Sequence, residues 1–432
     1  MYYILRIVFL LSLIIYGQGK STLFKMFVCL QVVAFVAEYL IDAYKVETDD
    51  LLTYLYVCVS VIMLFLVMAP WAKVRITGIY IKEEGFNAFV EKWLTPVLLG
   101  IFLMNLVLAA IIMYMIPDVS EYKLKDGWKD LYDTIPMFAL MNRVSYITQY
   151  MGYFAVPLSF YYFSKDNNKR GAWFLFLSSS SLMAGIAAYS RAQMLVYGMC
   201  LLANFFLFQN VFPEKKLKVI KKYTYRAILV LSLIFLYTTI NRFGSDNMAY
   251  YGDRIPKTSK IQDPIIYSLM DYPGQGFPNG VNELIKYTPS RNFKGQDMFY
   301  YPLLFLDYFG VIDWDAAAAE EYRSKVYGYD GGAFHGYACS LIYNFGFILT
   351  FLFGITYFAC IRRKVANSNK VSTSSAFLLS YLIIEPTTSI FYCSLGIYVF
   401  PAVFYLMLRF LYNVKYGAKK KRRRVVKQPQ LM

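Results

Sequence analysis

Long runs of apolar residues, separated by short polar connections, are the main pattern of this sequence. A helix needs about 20 apolar residues to cross the hydrocarbon core of a bilayer, and most of these runs reach or approach that length. They predict an all-α polytopic membrane protein with about 11 transmembrane helices (10–12, because the first run is short) and one large extracytoplasmic loop of short helices. The predicted spans are residues 2–16, 22–41, 51–70, 93–116, 143–163, 171–190, 192–212, 226–243, 338–361, 374–392 and 396–413.

Basic residues are concentrated in alternate connections between the predicted spans. Because basic connections of membrane proteins tend to stay in the cytoplasm, the C-terminus is predicted to be cytoplasmic. The connections that are rich in lysine and arginine, and that fall on the side of the C-terminus, are 71–92, 164–170, 213–226 and 362–373. The outer side receives the acidic segment 42–50, the connection 117–142 and the largest connection, 244–337.

This arrangement divides the chain into four predicted parts. They are an N-terminal transmembrane bundle of about eight spans (1–243), an extracytoplasmic loop domain (244–337), C-terminal transmembrane helices (338–413) and a basic cytoplasmic tail (414–432). The tail contributes much of the formal charge of +16. Because it follows a membrane span, its lysines and arginines are expected to face anionic lipid and not nucleic acid.

Cysteine and histidine usage gives no indication of a bound metal or other cofactor. The six cysteines are scattered singly, without the spacing of metal ligands or of a disulfide framework. His335 is the only histidine, so a metal site built from histidines is not expected. No cofactor is therefore predicted.

The large outer loop, 244–337, has an unusual composition for a connecting segment. It carries twelve acidic and eight basic side chains, six prolines and many aromatic rings. We expect short helices joined by turns that contain proline and glycine. The helices are expected near 279–287, 297–309 and 314–326, and the turns at Pro273-Gly274 and Pro278-Asn279-Gly280.

Aromatic rings combined with carboxylates are typical of carbohydrate-binding sites. Rings stack on the apolar faces of sugars, while carboxylates and amides accept hydrogen bonds from hydroxyls. The rings selected as candidate sugar-binding residues are Tyr272, Tyr300, Tyr301 and Trp314. The alternative is that the rings of this loop lie at the bilayer interface or form a small core over the helices.

Arg191, Arg242 and His335 lie at predicted helix ends on the outer face of the bundle. Arg191 falls between two spans with almost no connecting loop, and an arginine at this depth needs a partner because its desolvation is costly. A substrate phosphate suits the guanidinium fork, whereas snorkelling to water or pairing with a protein carboxylate is the alternative. A neutral imidazole can take a proton from a sugar hydroxyl; otherwise His335 is a hydrogen-bonded ring at the interface.

An acidic residue also interrupts one of the apolar runs. Glu385 precedes Pro386 near the middle of the predicted span 374–392. It is the partner of a buried cation, a residue that lines a cavity, or the mark of a broken helix. The sequence does not choose among these three.

The architecture and two local motifs resemble the O-antigen polymerase family, bacterial membrane enzymes that join lipid-linked oligosaccharide repeat units. The resemblance covers most of the chain as architecture, with ten to twelve spans and one large outer loop late in the sequence. The motifs are similar to the "SR" element and the loop-to-helix glycine pattern of this family and of the related O-antigen ligases. They are Ser190-Arg191-Ala192-Gln193-Met194-Leu195, Gly332-Ala333-Phe334-His335-Gly336 and Tyr343-Asn344-Phe345-Gly346-Phe347.

The resemblance implies a metal-independent polysaccharide polymerase of the glycosyltransferase type in the bacterial inner membrane. Its donor would be a growing chain on undecaprenyl diphosphate, its acceptor a lipid-linked repeat unit, and its product the O-antigen of lipopolysaccharide or a capsule. Arg191 and His335 match the catalytic positions of the family, and Arg191, Arg242 and Arg291 would bind the diphosphate. The partners implied are the undecaprenyl-diphosphate-linked oligosaccharide, the lipid bilayer, a chain-length regulator and a flippase, with no nucleic acid.

Four other classes of membrane protein compete with this interpretation. An O-antigen ligase shares the chemistry but uses a lipid A core as acceptor. A lipid-linked oligosaccharide flippase would have shorter loops and charges inside a central cavity. A metal-dependent lipid-sugar glycosyltransferase would carry acidic ligands in an early outer loop, which the segment 42–50 could imitate. A membrane-bound acyltransferase would place its lone histidine within a span, whereas His335 lies at a loop end.

Overall fold

The computed structural model shows a mostly helical protein. It describes the whole chain except residues 45, 47–49, 117–130, 132–133, 244–254, 328–333, 367–368, 392, 394 and 426–432. In chain order the first helices are α1 (Tyr2–Gly17), α2 (Thr22–Ile41), α3 (Leu51–Met68), α4 (Glu84–Met115), α5 (Pro136–Thr148), α6 (Ala155–Ser164), α7 (Asn168–Ser178) and α8 (Ser180–Ala187). They are followed by α9 (Arg191–Phe208), α10 (Glu214–Phe243), α11 (Pro264–Lys286), α12 (Tyr300–Tyr308), α13 (Ala316–Tyr327), α14 (Tyr337–Ala366), α15 (Thr373–Leu382), α16 (Ile384–Thr388) and α17 (Val399–Val425).

Among the described residues, six helices are long and apolar enough to cross a membrane. They cover Thr22–Ile41, Leu51–Lys73, Glu84–Met115, Arg191–Val211, Glu214–Ile240 and Tyr337–Val365. The other predicted spans also fall on helical structure. The helices at 2–16, 143–163, 171–190 and 374–392 are short or interrupted, whereas 396–413 falls largely on the 27-residue helix α17. The predicted span 171–190, for example, is divided into α7 and α8 at a run of serines, whose hydroxyls compete for backbone hydrogen bonds.

The four basic connections lie together at one end of the bundle. A two-stranded parallel sheet joins the first to the last, because β1 (Gly78–Tyr80) pairs with β2 (Lys370–Ser372). Arg170 forms an ion pair with Glu91 at 3.0 Å, and Lys216 forms one with Asp166 at 2.6 Å. These contacts connect all four basic segments, as the alternating charge pattern predicts.

The segment predicted to form the outer loop packs against the opposite end of the bundle. The Tyr44 hydroxyl, just after α2, donates to Asp271 of α11 at 2.7 Å. The backbone N–H of Lys260 donates to the Leu40 carbonyl at 3.0 Å. The rings of Tyr146 in α5 and Tyr301 in α12 stack at 5.5 Å. The segment that follows residue 254 is therefore integrated with the transmembrane helices at this end.

Helix α11 differs from the prediction for the loop. The turns expected at Pro273-Gly274 and Pro278-Asn279-Gly280 were wrong, because one 23-residue helix runs through both prolines. The helix expected near 279–287 is present, but it is the last part of this longer helix. Asp263 caps this helix by accepting from the Ile266 N–H. The predictions near 297–309 and 314–326 are confirmed by α12 and α13.

Glycines allow α11 to pack deep in the protein in spite of its prolines. A Cβ at Gly276 would collide with the carbonyl oxygen of Ile390, and one at Gly280 would collide with the carbonyl oxygen of His335. At Gly274 a Cβ would lie 2.9 Å from the backbone nitrogen of Glu38 in α2. Close backbone approach of this kind requires glycine, and the resulting contacts hold the helix where proline alone would weaken it.

Candidate functional site

Arg191 lies at the start of α9, beneath α11. The Ser190 hydroxyl caps the helix by accepting from the Gln193 N–H at 3.4 Å, so the arginine is held in the first turn. Its side chain is buried, with 2% of its surface exposed. The sequence places it at the outer boundary of the membrane, where a substrate phosphate could meet it, but in the structure other elements cover it.

The contacts of the Arg191 guanidinium come from three elements. Its Nη1 donates to the hydroxyls of Thr239 in α10 and Ser268 in α11, both at 3.4 Å. The guanidinium carbon lies 4.7 Å from the centre of the Tyr272 ring, a distance at which the ring face attracts a cation. Two hydroxyl oxygens and an aromatic ring thus lie against this positive charge, and the Asp271 carboxylate of α11 is near enough to interact with it electrostatically.

His335 lies in the segment that enters α14, and α11 holds this segment on one side. The Phe334 N–H donates to the Gln275 side chain at 3.2 Å, and the Asn279 amide donates to the Phe334 carbonyl at 3.3 Å. Gly336 has a positive φ of 69° and donates its N–H to the Phe391 carbonyl at 2.9 Å. His335 itself is buried, so this backbone geometry fixes where its imidazole lies.

A short series of contacts joins Arg191 to His335. Arg191 packs on the Tyr272 ring, and that ring lies 5.5 Å from the Phe334 ring, edge to face. His335 is the next residue. The sequence predicts that these two side chains converge at one end of the bundle, and in the structure the Tyr272–Phe334 ring pair links Arg191 to the residue before His335.

Burial controls the protonation of His335. Burial, together with the smaller effect of the positive charge of Arg323, lowers the pKa of the imidazole from its usual value near 6.5 to about 3. The ring is therefore neutral at physiological pH and can accept a proton. As long as it is enclosed, however, it is a weak base, and an anion that bound nearby would raise its pKa.

A small cavity lies beside the His335 segment. Its volume is about 10 Å³, roughly the room needed for one water molecule. Its lining includes Arg6, Gln31, Ser60, His335 and Ser389. The Gln31 amide donates to the Ser389 hydroxyl at 3.1 Å, so polar groups from α1, α2, α3 and the end of α16 meet at this point.

Arg6 and Glu38 form a buried ion pair that the sequence analysis missed. Arg6 has no exposed surface, Glu38 is 2% exposed, and Nη2 lies 3.4 Å from Oε2. The Tyr2 hydroxyl donates to the other carboxylate oxygen at 2.7 Å, and the Phe277 ring covers the guanidinium at 3.6 Å. Among the described residues, Arg6 Nε and Nη1 have no hydrogen-bond partner. The available signal was a charged residue inside each of two apolar runs, which marks a functional or paired residue.

The Glu38→Ala substitution should destabilise the protein by about 3–5 kcal/mol, because it leaves the buried Arg6 charge uncompensated. The matched control is Tyr2→Phe, which removes one hydrogen bond to the same carboxylate and should cost about 1 kcal/mol. The measurement is the free energy of unfolding of each purified variant in detergent. An equal, small loss in both variants would show that Glu38 does not compensate the Arg6 charge.

The other predicted diphosphate-binding arginines do not join this cluster. The side chain of Arg242 lies outside the described residues. Arg291 is exposed in a short 3₁₀ turn and donates from Nη1 to the Lys286 carbonyl at 3.2 Å, at the far end of α11. Of the two arginines whose side chains are described, Arg191 is the one that ring contacts link to the His335 segment.

Three of the four predicted sugar-binding rings lie together, apart from Tyr272. The Tyr300 ring contacts Trp314 at 5.2 Å and Tyr301 at 5.4 Å, both edge to face. Tyr146 stacks on Tyr301 from the other side. Tyr301 is exposed, and Tyr300 and Trp314 are half-buried. These rings form a partly open aromatic surface, whereas Tyr272 packs on Arg191.

Glu385 lies in a broken helix. It is fully buried in the five-residue helix α16, which is separated from α15 by Ile383. The Cys393 thiol donates to its Oε2 at 3.3 Å. The sequence leaves three interpretations of Glu385 open, and the backbone shows one of them, a broken helix.

Among the residues that the structure describes, no group of three or more histidine, cysteine, aspartate or glutamate side chains is placed to hold a metal ion. Comparison with known protein families, with curated proteins and with solved structures finds no match to this chain. Inference about its function depends on the geometry above and on the motifs of the sequence.

Proposed function

We propose that this protein is a membrane polymerase that joins undecaprenyl-diphosphate-linked oligosaccharide repeat units into O-antigen or capsular polysaccharide, on the outer face of the bacterial inner membrane. The observation that carries the proposal is the series of ring contacts that runs from Arg191 through Tyr272 to Phe334, the residue before His335. An arginine suited to an anion and a histidine suited to accept a proton are thereby linked at the end of the bundle opposite the basic connections. A transfer reaction with a diphosphate leaving group needs these two groups.

The proposed topology has about 11 crossings, a cytoplasmic C-terminus and the outer loop facing away from the cytoplasm. Its support is the separation of charge between the two ends of the bundle. The connections joined by the β1–β2 pair and by the Arg170–Glu91 and Lys216–Asp166 ion pairs are basic. The opposite end carries α11, α12 and the site.

In the proposed reaction, a hydroxyl of the acceptor repeat unit attacks the anomeric carbon of the growing chain. The new bond joins the hydroxyl oxygen to that carbon, and the bond from the carbon to the lipid diphosphate breaks. The diphosphate leaves with the bonding electrons, and the hydroxyl proton passes to neutral His335. Arg191 stabilises the negative charge that develops on the leaving group. The leaving group is already good, so positioning and electrostatics supply most of the acceleration.

Substrate binding has to open the described arrangement. Arg191 and His335 are both buried, so a diphosphate reaches the guanidinium only if Tyr272 or the two hydroxyl partners move aside. The guanidinium of Arg191 then exchanges its weak 3.4 Å contacts with the two hydroxyls for charge-assisted hydrogen bonds to the diphosphate. The anion also raises the pKa of His335 and makes it a stronger base at the moment when it must accept a proton.

The aromatic surface of Tyr300, Tyr301 and Trp314 supplies a place for the sugars. It lies at the same end of the bundle as the site, and its rings are partly open. Rings of this kind stack on sugar faces without selecting one linkage. We assign it to the oligosaccharide portion of the donor or the acceptor.

An O-antigen ligase would use the same two residues with a different acceptor. The geometry of the site therefore fits a ligase as well as a polymerase. The test is whether the purified protein lengthens chains when the lipid-linked repeat unit is the only substrate. A polymerase makes products of two and more units. A ligase without a lipid A core, or a flippase, leaves single units.

A further inference from the structure

A second cavity lies at the opposite end of the molecule, among the basic connections. Its volume is about 330 Å³, which is far larger than the cavity beside His335. The start of α4, the start of α15 and the middle of α17 surround it, and Lys82, Lys364, Thr373 and Arg409 are among its lining residues. None of these residues has a part in the proposed transfer reaction.

The two short strands build this cavity from distant parts of the chain. Gly78 pairs with Lys370 and Tyr80 pairs with Ser372, and the Thr77 hydroxyl donates to the Asn369 carbonyl at 3.2 Å. The segment before α4 is thereby fixed beside the N-terminus of α15. Lys82 follows the first strand, and Thr373 follows the second.

The balance of charge in the cavity is positive. Arg409 donates from both terminal nitrogens to Glu83, at 2.7 and 2.9 Å, so these two charges compensate each other. Lys82 and Lys364 remain, and neither forms an ion pair with any residue that the structure describes. The N-terminus of α15 adds the partial positive charge of a helix end.

Hydroxyl groups at the start of α15 complete the lining. Ser372 caps the helix by accepting from the Ser375 N–H at 3.2 Å, and Ser374 accepts from the Tyr405 hydroxyl at 2.8 Å. Thr373 is 6% exposed and lines the cavity. Within the described part of the chain its hydroxyl has no hydrogen-bond partner. The hydroxyl is therefore available to a ligand in the cavity.

We propose that this cavity binds a phosphate-bearing group through Lys82, Lys364, the Thr373 hydroxyl and the first-turn N–H groups of α15. Two uncompensated ammonium groups match the charge of a phosphate, and the first N–H groups of a helix are oriented towards such an anion. The phosphate can belong to an anionic phospholipid headgroup of the adjacent leaflet or to a free phosphate compound. The inference does not depend on the proposed polymerase activity.

The test uses the full-length protein in nanodiscs and follows its thermal unfolding midpoint. In phosphatidylcholine nanodiscs, inorganic phosphate should raise the midpoint, whereas sodium chloride of equal ionic strength should not.

The Lys82→Ala/Lys364→Ala double variant should bind phosphate at least about tenfold more weakly, because it loses two charge-assisted contacts. Thr373→Val should weaken binding with little change in shape. The matched control is Lys218→Ala/Lys222→Ala, which removes two exposed lysines outside the cavity and should bind phosphate as the native chain does.

Nanodiscs that contain phosphatidylglycerol distinguish the two sources. If the native ligand is a lipid headgroup, this lipid should raise the midpoint of the native chain and compete with added phosphate. If the ligand is a free compound, inorganic phosphate alone should act. Either result supports the site, provided that the Lys82/Lys364 variant loses the effect. The proposal is overturned if neither probe shifts the native chain, or if both shift the double variant as much as the control.

Discussion

A His335→Ala variant should display single repeat units on the cell surface in place of long chains. The imidazole is neutral because burial holds its pKa at about 3, so in the proposed reaction it accepts the proton of the attacking hydroxyl. Removal of a positioned base costs roughly 10²–10⁴-fold in rate, which is enough to abolish visible polymer. The measurement is the length of the surface glycan in a strain that lacks the native protein and expresses the variant.

Two controls separate the proton transfer from the structure of the segment. Asn279→Ala removes the amide that donates to the Phe334 carbonyl, so it disturbs the same segment but keeps the imidazole; it should retain long chains. His335→Gln can still accept a hydrogen bond but is a negligible base, and it should be as inactive as His335→Ala. Normal chains from His335→Ala, at membrane levels equal to those of the native protein, would remove the histidine from the mechanism.

An Arg191→Lys variant should lose roughly 10²–10³-fold in chain elongation, although it keeps a positive charge. An ammonium group cannot reproduce the bidentate fork that matches a diphosphate. It also cannot span the three contacts that the guanidinium makes with Thr239, Ser268 and the Tyr272 ring. Glycan length and the initial rate of elongation by the purified variant are the two measurements.

The matched control for Arg191 is Arg143→Lys, at the same end of the bundle. Arg143 is exposed and lies 5.5 Å from the Tyr308 ring, so its replacement should change the rate little. A pair of Tyr272 variants tests the ring itself: Tyr272→Phe keeps the ring and should remain active, whereas Tyr272→Ala should not. If Arg191→Lys elongates chains as fast as Arg143→Lys, the guanidinium has no role in holding the diphosphate.

The sequence predicts much of this architecture because apolar length and charge are local signals. Helices occupy the predicted spans, and the basic connections meet at one end, as the lysine and arginine pattern indicates. Helix α11 escaped prediction because Pro273 and Pro278 favour turns when the sequence is considered locally. Its stability comes from tertiary packing through Gly274, Gly276 and Gly280, which no local pattern reports.

The site was predictable only where residue type and position along the chain, which are local signals, indicate it. Arg191 and His335 stand out because each is a rare residue type at a helix end. Their connection through Tyr272 and Phe334 depends on how α11 packs. The Arg6–Glu38 pair joins residues 32 positions apart on two helices, and charged residues in two separate apolar runs do not reveal that they are partners.

The phosphate cavity at the basic end depends on pairings that local patterns cannot predict. The Thr77–Asn369 hydrogen bond spans 292 positions, and each strand has only three residues. Such strands are too short to show an alternating pattern. Lysines and serines in these segments are common features of solvated connections, so their convergence is visible only in the folded chain.

The most direct test of the proposed function is elongation by the purified protein in liposomes that contain the lipid-linked repeat unit, with EDTA present. The products are resolved by chain length, and the undecaprenyl diphosphate that is released is measured alongside. We expect a ladder of two and more units, one lipid diphosphate released for each new bond, no requirement for added metal, and loss of the ladder in Arg191→Lys. Single units that remain unchanged, or a ladder that appears only when Mg²⁺ or Mn²⁺ is restored, would contradict a metal-independent polymerase.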